Sequence, residues 1–175
     1  EENTQLEIEQ LANDYPVWVS DVTDLNSAMA MINGVAEICG SDASNIKEQI
    51  KTGFEALKPA STLLKTLYLI WRKPFMAAGS DTFINDMMQR CGFENCTSQL
   101  RYPELNLDEI SNLKPDLILL SSEPYPFKES HMNELQEAVP TAKIKLVDGE
   151  LFSWYGSRMM KAPSYLSDLI ESINK

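Results

Sequence analysis

Leu117-Ile118-Leu119-Leu120 stands between Lys114-Pro115-Asp116 and Ser121-Ser122, four large aliphatic residues with nothing polar among them. Successive side chains of a strand point to opposite faces, so an unbroken apolar run describes a strand covered on both sides. Leu67-Tyr68-Leu69-Ile70-Trp71 reads the same way, and Ile144-Lys145-Leu146-Val147 reads as a third strand. The segments between them carry apolar residues at helical spacing. Ser80-Asp81 open a helix whose apolar face is Phe83, Ile84, Met87, Met88 and Cys91. Asn106-Leu107-Asp108-Glu109 pairs an N-cap with a carboxylate three residues on and opens a short helix ending at Pro115. Met132, Leu135 and Val139 mark another helix; Met159, Ala162, Leu166, Leu169, Ile170 and Ile173 lie on one face of the last. Strands alternating with helices imply the α/β class, here a doubly wound parallel sheet spanning residues 59–175.

Upstream the pattern differs. Leu6 to Ala12 reads as a helix, and Pro16-Val17-Trp18-Val19-Ser20 as a short strand, within a first unit of residues 1–22. Leu25, Ala28, Met29, Ile32, Val35, Ala36 and Cys39 then follow helical spacing, and Ile46, Ile50, Phe54 and Leu57 resume it beyond Gly40. If continuous, this unit of residues 23–58 would extend roughly 50 Å, the length of a strut between two bodies.

The chain has 175 residues, 43% of them hydrophobic, with 15 basic and 26 acidic side chains and a net charge of −11. It is long enough to bury a core, which excludes disorder and a disulfide-stapled miniprotein. An acidic chain without a basic stripe does not suit nucleic acid. No run of 18 apolar residues occurs, and the opening Glu1-Glu2-Asn3 means a secretory signal absent or already removed. Of three cysteines, Cys39 falls on the helical stripe and reads as a small core residue, while Cys91 and Cys96 read either as a short disulfide or as free thiols. With His131 the only histidine, no metal site is expected.

In an open α/β sheet, ligands meet the loops at the carboxyl ends of the strands. Here those loops are residues 72–79, 121–127 and 148–156, and they carry Phe75, Tyr125, Phe127, Phe152, Trp154 and Tyr155, with Trp71 and Tyr102 close by. Rings supply rigid contact area at little entropic cost, and they also pack loops onto a sheet. No nucleophile elbow, P-loop or dinucleotide fingerprint is found. Glu123 and Glu150 form the one carboxylate pair that a hydrolase would use.

The series Trp71 to Phe83, Asn106 to Ile118, Ser121 to Phe127 and Gly149 to Arg158 resembles the C-terminal lobe of helical-backbone (class III) periplasmic binding proteins. These are substrate receptors of ABC importers for cobalamin, ferric siderophores and haem. The resemblance covers nearly the whole chain, the long helix corresponding to the family's rigid connection between lobes. It implies no catalysis, no cofactor other than the transported ligand, and a periplasmic or extracytoplasmic location, with a lipid anchor at an N-terminus beyond this sequence. Family members carry an N-terminal lobe of comparable size, so residues 1–22 would be its remnant, and the apolar strand at Val17-Trp18-Val19 would be free to pair with a second copy. Carried over residue by residue, the resemblance places Phe75 and Tyr102 along the ligand cleft, and Glu150 and Trp154 on a ligand-touching loop. Asp108 matches the acidic residue that meets a permease arginine, usually glutamate in the family, with Glu109 as its substitute. Both carboxylates also suit a first helical turn without any partner.

Ferric catecholates are anionic and call for several cations in the cleft. Arg72, Lys73, Arg101 and Arg158 are here mixed with Glu123 and Glu150, a balance better suited to a nearly neutral, amide-bearing corrinoid. A ferric siderophore is the alternative, as is haem with Tyr102 or Tyr125 as axial ligand.

Overall fold

Strand β1 (Leu64–Trp71) is the centre of the computed structural model, which describes residues 4–173. On one side it pairs in parallel with β5 (Leu117–Ser121), which pairs in parallel with β6 (Lys143–Val147). On its other side the first half of β1 pairs in parallel with β3 (Phe93–Asn95). Its far end pairs antiparallel with β2 (Phe75–Ala77), which in turn pairs with β4 (Glu104–Leu105). The order β4-β2-β1-β5-β6 makes a mixed sheet with a parallel centre. The three expected strands form as read; β2, β3 and β4 are additional, and β2 lies inside the stretch read as a ligand loop. Runs of two or three residues carry no periodic signal, and their pairing is decided by the neighbouring strand.

The unbroken apolar runs feed two cores. Tyr68, Ile70, Leu117 and Leu119 face one layer, while Leu67, Leu69, Ile118 and Leu120 face the other. The first layer is closed by α2 (Leu25–Ile38), α3 (Ser44–Ala56), α4 (Phe83–Arg90), α7 (Glu150–Ser153) and α8 (Ala162–Ile173). The second is closed by α5 (Leu107–Leu113) and α6 (Glu129–Ala138). Helices therefore cover both faces, as in a doubly wound sheet.

Three expectations upstream are corrected. Residues 24–57 are two helices, not one continuous strut. Gly40 takes φ +61° just past α2, its N–H reaches the Glu37 carbonyl at 3.2 Å, and the Ser41 N–H reaches the Ala36 carbonyl at 2.8 Å. This paired C-terminal cap satisfies the last carbonyls and ends the helix. Residues 16–20 are not a strand; they follow α1 (Gln5–Asp14) as irregular chain. Trp18 instead lies over Gly34 of α2, so close that a Cβ there would stand 2.9 Å from its ring. The reason for expecting strand pairing between copies goes with that strand. Cys39, finally, is exposed. The buried face of α2 is Leu25, Ala28, Ile32 and Ala36, and by Ile38 the stripe has turned away from the sheet.

Cys91 and Cys96 are free thiols. They pack into opposite layers, Cys91 into the first and Cys96 against the second.

Candidate functional site

The loops beyond the carboxyl ends of the parallel strands are tied together by polar contacts. The buried Tyr68 hydroxyl lies 3.2 Å from Ser121 Oγ, and Ser121 Oγ donates to the Glu123 carbonyl. Burial pushes the Tyr68 phenol well above its ordinary range, so it is a neutral donor. Ser153 Oγ lies 3.3 Å from the Glu123 carboxylate and 2.8 Å from the Gly149 carbonyl, and the Gly149 N–H donates to Ser122 Oγ at 2.9 Å. A Cβ on Gly149 would come within 2.3 Å of Ser121 Oγ, so only glycine lets the loops after β5 and β6 approach this closely.

Above this base a cleft of about 380 Å³ opens, at the lower end of the usual range for ligand pockets. Its floor is the start of α4, Thr82, Phe83 and Ile84. One wall is Ser20, Asp21 and Val22, and Asp81, Arg101, Tyr102, Ser153 and Tyr155 complete the lining. Arg101 adopts a left-handed backbone at φ 59°. Asp81 stabilises that turn by accepting the Arg101 N–H and by meeting its guanidinium at 3.4 Å. Tyr155 stands edge-on to Phe83, ring centroids 5.6 Å apart.

The aromatic residues read from the sequence therefore separate. Tyr102 and Tyr155 line the cleft, and Trp154, 53% exposed, follows Ser153 on the same loop. Phe152 is a correction: it is fully buried, its ring 5.0 Å from that of Tyr68, and it anchors the loop from below. Phe75 is likewise buried in the second layer, where it also lines a groove beside Leu105 and Leu107. Trp71 and Tyr125 form a different cluster, edge to face at 5.6 Å and continued by Phe127 and His131. His131 Nδ1 accepts the Lys128 N–H at 3.0 Å, a capping role at the start of α6.

The three arginines among the expected rim cations are each matched by a carboxylate of this chain, while Lys73 is exposed and pairs with none among the described residues. Arg72 binds Glu134 through both Nε (2.9 Å) and Nη2 (2.7 Å), and Arg101 meets Asp81. Arg158 pairs with Glu150, closing the loop that presents Trp154 and Tyr155. Glu150 is thus committed to Arg158, whereas Glu123 only approaches Ser153 Oγ, whose hydrogen has the nearer Gly149 carbonyl. Asp108 is exposed at the first turn of α5. Glu109 closes the capping box there, accepting the Asn106 N–H at 2.7 Å. Asp21, Asp81 and Ser153 were not singled out as site residues from the sequence. Asp81 reads there as a helix-start residue, and nothing local marks Ser20–Val22, because the wall exists only where two distant segments meet.

No family model matches this sequence, and no curated protein matches it. Solved structures do. The periplasmic haem-binding protein BhuT, in complex with two haems, superposes with TM-score 0.80 at 17% identity, over 97% of this chain and 72% of that one. The fold is that of the class III periplasmic solute-binding proteins. The vitamin B12 binding protein BtuF of Vibrio cholerae matches at TM-score 0.72 and 14% identity, over 99% of this chain and 72% of its own. A possible iron-binding periplasmic solute-binding protein of Staphylococcus epidermidis matches at 0.70 and 16%, over 97% and 70%. The class III resemblance read from the sequence is borne out at the level of the fold.

Proposed function

We propose that this protein is a non-catalytic, extracytoplasmic substrate-binding receptor of an ABC importer, taking a metal-chelate macrocycle of the corrinoid type and delivering it to a membrane permease. One observation carries the choice of ligand. Arg72, Arg101 and Arg158 are each held by a carboxylate of the same chain, which leaves the exposed Lys73 alone of the four expected cations without one, so the loops offer little uncompensated positive charge to a polyanionic chelate. They do offer exposed rings in Trp154 and Tyr155 for a large, nearly neutral face, and carboxylates and serines for amide groups. The solved structures of this fold named for vitamin B12, haem and iron support the transport class.

A haem reading has its own support: Tyr102 and Tyr155 both line the cleft, and tyrosine is an axial ligand for ferric haem. A hydrolase using Glu123 and Glu150 is disfavoured by the ion pair that already holds Glu150 to Arg158.

Equilibrium dialysis against cyanocobalamin, haemin and a ferric catecholate decides among these ligands. Retention of cyanocobalamin alone is expected. Retention of haemin alone would replace the corrinoid, and retention of the catecholate would overturn the charge argument.

A further inference from the structure

We infer that Asp86 is a positioning residue for the cleft, pinning the chain segment that forms one wall to the helix that forms the floor. The inference rests on the cleft being the binding site, as proposed above. Asp86 sits on α4 one turn beyond Phe83 and Ile84, which line the floor. Its Oδ2 accepts the Leu25 N–H at 2.9 Å, a bond across 61 positions of sequence, and the same oxygen accepts from Arg90 Nε at 2.8 Å. Leu25 is the first residue of α2, where the N–H groups have no partner within the helix. Asp24 takes the Ser27 N–H at 2.7 Å, and Asp86 takes that of Leu25.

The wall residues Ser20–Val22 end three positions before Leu25 and belong to no strand or helix. Packing holds this segment, with Trp18 over Gly34 and Val22 against the first core layer. Packing of an irregular segment tolerates sliding, whereas a hydrogen bond to a carboxylate fixes direction and distance. The start of α2 therefore sets where the wall stands relative to Phe83. Arg90 keeps the Asp86 carboxylate turned toward α2. Its guanidinium is itself fixed 5.6 Å above the Phe54 ring of α3, and the Asp86 side chain is only 17% exposed.

Hydrogen exchange on the whole chain, with dialysis against cyanocobalamin and haemin, tests this. Asp86→Ala is expected to speed exchange of the bonded amides in residues 23–28 by roughly 10- to 100-fold, the effect of one charged hydrogen bond. Peptides from β5 and α8 should be unchanged, and retention of whichever probe the wild type binds should fall about tenfold. Asp86→Asn keeps an acceptor oxygen without the charge, and should restore most of the protection and of the binding. Unchanged exchange over residues 23–28 in Asp86→Ala overturns the inference. So does loss of protection throughout the molecule, which would make Asp86 a general stability residue. If the wild type retains neither probe, the proposed function fails, and the exchange result alone decides whether Asp86 sets the wall.

Discussion

Replacing Gly79 by alanine tests how the cleft's far side is held. Gly79 follows β2, and its N–H donates to the Arg101 carbonyl at 2.6 Å while the Ser80 N–H donates to that of Gln99 at 2.9 Å. A Cβ at position 79 would stand 2.5 Å from the Gln99 oxygen, 2.6 Å from the Arg101 oxygen and 2.8 Å from the Leu100 carbonyl carbon. All three are backbone atoms, so no side chain can swing away. To reach an ordinary carbon–oxygen separation of about 3.3 Å, the 99–101 segment must retreat by roughly 0.8 Å. Overpacking costs about 2 kcal/mol and weakening two hydrogen bonds about 1 kcal/mol each. Reduced freedom of the unfolded chain offsets about 0.7 kcal/mol. The net loss is about 3 kcal/mol, which for a domain of this size lowers Tm by roughly 6–12 °C. Gly40→Ala is the control: nothing lies within 4 Å of its Cβ site, and only its φ of +61° opposes the change, a cost of about 1–2 kcal/mol. Thermal and urea unfolding of both variants measure the difference. A Gly79→Ala protein within 2 °C of wild type, or no less stable than Gly40→Ala, would refute the reasoning, since about 3 kcal/mol cannot hide in so small a shift.

Phe152→Ala should cost about 3–5 kcal/mol in urea unfolding, because it empties a fully buried site. Trp154→Ala should leave stability within about 0.5 kcal/mol and weaken ligand retention; the reverse pattern would reassign the two rings. Burial pushes the Cys91 and Cys96 thiols up to about 12, so a thiol reagent at pH 8 should modify only the exposed Cys39 quickly, and two or more fast thiols would contradict this. Hydrogen bonds from Ser27, helped by nearby Arg90, hold the Asp24 carboxyl below its ordinary value of 3.8. A lowered folded-state pKa stabilises above the unfolded value and is lost as pH falls through the folded one. The stability gap between wild type and Asp24→Asn should therefore be full at pH 6 and shrink on acidification below about 4; a gap that widens there would reverse the sign. Asp108→Lys should leave ligand retention intact and abolish uptake in a transport assay with the cognate permease, and unimpaired uptake would remove the docking role. Asp108 is the cleaner site for this test, because Glu109 also caps α5.

The legible part of this protein was local. Leu117–Leu120 reads as a strand covered on both sides because each residue alone demands burial on its own face, and both cores confirm it. The Asn106–Glu109 capping box needs only four consecutive residues, and it forms as read. The apolar face of α4, Phe83 to Met88, is buried throughout. The misreadings were of elements whose state depends on distant partners. Phe152 and Trp154 are two residues apart in one aromatic stretch, and composition cannot say which ring points down to Tyr68 and which points out. Residues 16–20 have the composition of a strand, yet they pair with no strand among the described residues, and Trp18 packs on a helix instead. Gly40 weakens a helix in any sequence, but whether the helix bends or ends depends on the two hydrogen bonds that close its cap.

Sequence alone determined the class of the fold, the three parallel strands and the faces of their covering helices, because burial periodicity is a property of each segment by itself. Tertiary structure alone decided which loop residues meet. Ser20–Val22 and Tyr155 share a cleft across more than 130 positions of chain, and Asp86 reaches Leu25 across 61. No short-range pattern encodes such meetings, since they follow from how packed layers bring segment ends together.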